Sequence, residues 1–138
     1  MKRPISLFFL FVGTSISFAG PLPTPDKVSP LTVARMSLMQ GDILSTITTL
    51  NNWFESDSVP RGREQDAANL MLARAYAKNG DLNLSSYHYT RVRAAGRSTS
   101  KYAAFWEAKT DFLRGRYAVA IAECRPFVND EESEFHQS

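Results

Sequence analysis

The stretch Leu72–Leu82, LARAYAKNGDL, decides how this chain is read. Leu72, Ala75 and Tyr76, with Ala68 before them, keep the three-to-four residue spacing of one helix face. Gly80-Asp81 then turns the chain, and Leu82, Ser85, Tyr89 and Val92 form a second apolar stripe that runs to Gly96. The phrase is not alone. ARMSLMQGDI begins at Ala34 and AKTDFLRGRY at Ala108, each placing a glycine seven residues after its alanine, as Ala73 and Gly80 do. Gly41, Gly80 and Gly115 lie 39 and 35 residues apart. A fixed period of this length marks a duplicated supersecondary unit, which outranks local signals.

Each copy predicts a helical hairpin closed by a glycine turn. In the first, Ser29-Pro30 supplies a capping hydroxyl and a proline at the first helical position. Leu31, Ala34, Leu38 and Met39 share a face up to Gly41, and Asp42 is placed to cap the next helix, with Ile43, Ile47, Leu50 and Phe54. Ile43, Ser45, Ile47 and Thr49 also alternate as a strand would, and the β-branched run is a poor helix former. The repeat register, more than propensity, makes this segment helix. The second unit is expected to open at Asp66. In the third, Ser100 starts a helix carrying Ala104, Phe105, Ala108 and Phe112; Tyr117, Ala120, Ile121, Cys124 and Phe127 continue on its partner beyond Gly115. Small Ala34, Ala73 and Ala108 allow paired helices to approach closely. The expected fold is all-α: three stacked antiparallel helical hairpins over residues 29–130, a short α-solenoid.

The rest of the chain bounds its setting. Lys2 and Arg3, the apolar run Ile5–Phe18 and Ser17-Phe18-Ala19 predict a signal peptide over residues 1–19, cleaved after Ala19. An uncleaved anchor is the alternative. Residues 20–28, with Pro21, Pro23 and Pro25, read as an extended tether. Without Lys2 and Arg3 the bases balance the acids, which argues against general nucleic-acid binding. No stable membrane span is expected once the leader is removed. Cys124, the single cysteine, reads as a small core residue and not as a reactive thiol. Residues 131–138 read as a polar tail or, from Ser133-Glu134-Phe135, as the start of a further, truncated repeat.

The pattern resembles the tetratricopeptide repeat (TPR), a helix pair with a small residue in the first helix and a glycine-containing turn. The resemblance rests on Leu72-Ala73-x-x-Tyr76, Gly80-Asp81-Leu82 and Tyr89. The third unit adds Ala108, Gly115-Arg116-Tyr117, Ala120-Ile121 and Cys124/Phe127. The first keeps Ala34, Gly41-Asp42-Ile43, Ile47 and Leu50. The early aromatic of the family's first helix and its closing proline are missing, and the longer first spacing needs an insertion near Ser56–Arg61.

If the first helices line a concave face, Arg35, Arg74 and Lys109, each six residues before its turn glycine, fall in a row. Such a row could clamp carboxylates of an extended or carboxy-terminal peptide. Solvated or paired surface cations are the plainer reading. Leu31, Leu38, Leu70, Tyr102, Phe105 and Phe112 neighbour that row as possible anchors, although the aromatics suit inter-repeat core better. Arg91, Arg93, Arg97 and Lys101 read as a solvated cluster spanning a connecting loop. His88 and His136 lack the spacing of a metal site, and no phosphate loop, serine elbow or HExxH occurs. Glu107 sits amid aromatics (FWEAK), where burial would favour an acid role; a salt-bridged or capping surface glutamate is the simpler expectation.

The expected function is therefore a non-enzymatic, cofactor-free, exported scaffold. Its groove would receive a protein, peptide or glycan strand of the cell envelope, in the periplasm or outside the cell. The alternative rests on a second resemblance: the helical superstructure ahead of the catalytic domain in soluble lytic transglycosylases, here without that domain. The run KYAAFWEAKTDFLRGRYAVAIAEC carries that likeness.

Overall fold

Ser29 opens the first helix as its sequence dictates: its Oγ accepts from the Thr32 N–H at 3.2 Å, with Pro30 in the first turn. The computed structural model describes residues 28–128, so the leader, almost all of the tether, and the tail with Phe135 and His136 lie outside the described residues. Six helices follow in order: α1 (Pro30–Gln40), α2 (Ile43–Glu55), α3 (Gly62–Lys78), α4 (Leu82–Ala94), α5 (Ser100–Leu113) and α6 (Tyr117–Val128). Among the described residues there is no strand, and the helices pack as sequential antiparallel pairs. Each helix packs on the next, and α1 also reaches α3.

The three hairpin turns share one construction. Gly41 and Gly80 take φ of 81° and 87°, a left-handed conformation costly to any side chain. In each turn the residue after the glycine donates its N–H five residues back, at 2.9 Å: Asp42 to Ser37, Asp81 to Tyr76 and Arg116 to Asp111. The first two turns then use an aspartate cap. Asp42 accepts from Ser45 N–H and Asp81 from Leu84 N–H, both at 3.0 Å. Arg116 has no carboxylate to offer in the third turn and instead reaches back to Asp111 at 3.3 Å.

α2 is helical throughout 43–55 despite its alternation. Thr46, Leu50 and Trp53 fall on one buried face, and Thr46 Oγ1 bonds the Asp42 carbonyl at 2.9 Å. Tertiary burial, worth ~1.5–3 kcal/mol for a side chain such as Leu50, outweighs weak propensity. α3 begins at Gly62, not at Asp66, because the connector ends at buried Pro60 and the first turn precedes the acid. α3 is also the hub. Ala68, Met71, Leu72, Ala73 and Ala75 are buried around its circumference because α1, α2 and α4 all pack against it.

Two closed seams make the core. One joins Ala34, Leu50 and Trp53 of the first hairpin to Ala68, Met71 and Leu72 of α3. The other joins Ala73, Tyr89 and Val92 of the second hairpin to Ala103, with Leu70 and Trp106 packed alongside. Each hairpin buries a small residue in both of its helices: Ala34 and Thr46, Ala73 and Ser85, Ala108 and Ala120. The Thr46 hydroxyl lies 3.4 Å from the Ala34 carbonyl, which gives the closeness of the first pair. The third hairpin buries Ala108 and Ala120, but Phe112, Leu113, Tyr117 and Ile121 remain exposed, and Cys124 is half-buried. Pro126 stands inside α6, where it removes a backbone donor.

Candidate binding groove

Seven-residue spacing from alanine to glycine puts Arg35 and Arg74 one position past their buried alanines, on exposed surface. Both line a groove of ≈ 540 Å³ between α1 and α3. Lys78, one turn beyond Arg74, joins them, and Leu38, Met39, Leu70 and Met71 supply the apolar wall. Among the described residues, none of these three cations has a carboxylate within ion-pairing distance, and no acid lines the groove. The Arg74 guanidinium is also felt by Tyr89. Burial pushes that phenol up to about 12, with Tyr102 adding to the shift and Arg74 opposing it.

Lys109 occupies the equivalent position in the third unit but lies elsewhere. Its Nζ sits 4.6 Å from the Trp106 ring centroid, a cation–π contact. It borders a separate, almost wholly apolar groove between α5 and α6, with Phe105, Phe112, Ile121 and Cys124. The structure thus brings Arg35 and Arg74 together and sets Lys109 apart. The aromatic candidates stay with Lys109. Tyr102 packs on Trp106 at 6.0 Å, Phe105 on Phe127 at 6.0 Å, and Phe112 on Tyr117 at 5.2 Å. Leu31 packs into the first seam.

Three buried carboxylates are the largest departure from the sequence reading. Glu107 is 4% exposed and not a surface residue; Arg93 Nε pairs with it at 2.7 Å and Thr90 Oγ1 donates at 2.6 Å. Asp66 is held by both arms of Arg97. Asp111 receives Arg114 at 2.9 Å and Arg116 at 3.3 Å. The basic cluster is correspondingly not a solvated loop: Arg91 and Arg93 lie on α4, and Arg93 and Arg97 are tied to the interior acids. Nearby Glu123 has its carboxyl raised, first by burial and then by Glu107 and Asp111. Only the residue types signalled these pairs, since their partners lie 14 and 31 residues apart in two cases.

No protein-family model, curated protein or solved structure matches the chain. No helix among the described residues is long and apolar enough to cross a membrane, and no group of three or more His, Cys, Asp or Glu there could hold a metal ion. The α1–α3 groove sets positive charge beside apolar surface. Unpaired guanidinium and ammonium groups beside methionine and leucine side chains suit a ligand that is acidic on one edge and apolar on the other.

Proposed function

We propose that this chain is a non-enzymatic interaction module, TPR-like in its repeat, that works in the cell envelope after export. Its α1–α3 groove holds an acidic segment of a protein partner. The observation that carries this reading is the meeting of Arg35, Arg74 and Lys78 without a carboxylate, over a wall of Leu38, Met39, Leu70 and Met71. The partner's carboxylates bond the cations, and an apolar side chain enters between the methionines. The signal-peptide reading of residues 1–19 supports the destination.

The test is binding of a displayed library of acidic and neutral peptides to the full chain. Enriched peptides should carry one or more carboxylates beside a large apolar residue. Arg35→Glu combined with Arg74→Glu should weaken them at least about tenfold, and rising salt should weaken them progressively. Enrichment without acidic bias, or affinity indifferent to the double reversal, overturns the proposal.

A further inference from the structure

A second cavity, of ≈ 350 Å³, opens on the opposite side of α3, between α2, the 56–61 connector and α4. Its size is at the small end for ligand pockets, ~300–1,000 Å³. His88 is part of its lining. The Asn69 amide donates from Nδ2 to the Gln65 carbonyl at 2.8 Å, which turns its Oδ1 toward the imidazole. His88 Nδ1 lies 2.9 Å from that oxygen and is therefore the protonated nitrogen. Nε2 is left as a lone-pair acceptor. Two rings fix the imidazole: Tyr76 stacks on it at 5.5 Å and 8°, and Tyr87 meets it edge-on at 5.1 Å and 78°. Tyr76 is itself held, its hydroxyl accepting from Asn51 Nδ2 at 3.1 Å. Burial, with Arg91 adding, lowers the imidazole to about 4, so it is neutral at ordinary pH.

Around this fixed acceptor the wall alternates in character. Gln65 offers an amide with both donor and acceptor ends, and Arg91 offers guanidinium donors. Arg91 Nη1 donates to the Tyr87 hydroxyl at 2.8 Å and lies 5.7 Å from the ring centroid, which sets the half-exposed tyrosine as a supported plate at the rim. Among the described residues, no carboxylate lines the cavity. A phosphate group would call for several converging cations, and an apolar peptide for a wall apolar throughout; here Arg91 is the one cation in the described lining, and Phe54 and Val59 share the wall with Asn51, Gln65 and Asn69. Hydroxyl groups, which donate and accept alike, match an imidazole acceptor, an amide and a guanidinium, while the C–H face of a pyranose ring matches an aromatic plate.

We propose that the His88–Tyr87–Arg91 pocket binds a saccharide unit, independently of the peptide groove on the other side of α3. One ring lies against Tyr87, with a hydroxyl donating to His88 Nε2 and ring or carboxyl oxygens accepting from Arg91 and Gln65.

The test is titration of the full chain with tetra-N-acetylchitotetraose, maltotetraose and digalacturonate, followed by NMR of the His88 side-chain nitrogens and of the Tyr87 and Arg91 signals. At least one sugar should give saturable shifts that include His88 Nε2. Tyr87→Ala and Arg91→Ala, both at exposed positions, should each weaken it at least about tenfold. Arg35→Glu/Arg74→Glu should leave it unchanged, which separates this pocket from the groove. No shift at any of these signals with roughly 10 mM sugar overturns the inference. So does sugar binding that survives Tyr87→Ala, or an acidic peptide that saturates this pocket where no sugar does.

Discussion

Asp66, buried near the start of α3, is gripped by both arms of Arg97, which stands in the turn between α4 and α5, 31 residues later. Thr99 Oγ1 adds a third contact to the same carboxylate at 3.4 Å. The pair pins the entry of the third hairpin to the second turn of the central helix. The bond to Asp66 also holds the Arg97 guanidinium above its ordinary pKa, so the charge persists.

The two halves of this clamp differ in burial, and their removal should differ in cost. Asp66→Asn keeps the shape and leaves Arg97 its solvent, so a loss of about 1–2 kcal/mol is expected. Arg97→Met strands a buried carboxylate without a counter-charge and should destabilise more. The combination Asp66→Asn/Arg97→Met should recover part of that loss. Urea denaturation of the four chains gives the ranking; equal losses from both single changes would contradict it.

His88 makes stability depend on pH in a defined window. Its folded pKa, lowered to about 4 from 6.5 by burial and then by Arg91, means the unfolded chain binds the proton first. The contribution is complete above pH 6.5 and is lost as pH falls toward 4. The full shift corresponds to ~3 kcal/mol, and solvent screening reduces it to about 1–2 kcal/mol. His88→Gln should be less stable at pH 7 and show a flatter pH dependence between 6.5 and 4. Parallel curves for the two chains would remove His88 from the account.

The buried small residues of the second hairpin predict opposite outcomes for two changes. Ala73→Leu forces a branched side chain into a closed part of α3 and should cost about 2–3 kcal/mol. Ser85→Ala, on α4, removes a buried hydroxyl that has no hydrogen-bond partner and should raise stability by up to about 1 kcal/mol. Thermal melts distinguish these directly.

Lys109 separates the repeat register from the groove. Lys109→Gln loses a cation–π contact worth about 0.5–1 kcal/mol at an exposed site and should alter Trp106 fluorescence. Peptide binding at Arg35 and Arg74 should stay unchanged. A loss comparable to that of Arg74→Glu would mean that the ligand extends along all three units.

Much of the fold was legible because it is written in short range. Ser29-Pro30, Asp42, Asp81 and the turn glycines act within five residues of themselves, and the helices they bound follow. The start of α3 was misread because Gly62 is an unusual first residue for a helix. The site was less legible. The register gave Arg35 and Arg74 a common groove, but Lys109 follows the same rule and finds Trp106 instead. Glu107 was read as a surface acid, since nothing local announces Arg93 arriving from another helix. His88 gave no spacing signal at all; its surroundings form only because Asn51 of α2 and Asn69 and Tyr76 of α3 converge toward α4.

α6 fully buries only Ala120 and carries Pro126 within its span. α3, by contrast, is enclosed on several sides. Amide protons of α6 should therefore trade with deuterium long before those of α3, and the molecule should come apart as a graded peeling from that edge. α1 through α5 should then hold together as the cooperative unit after α6 has let go.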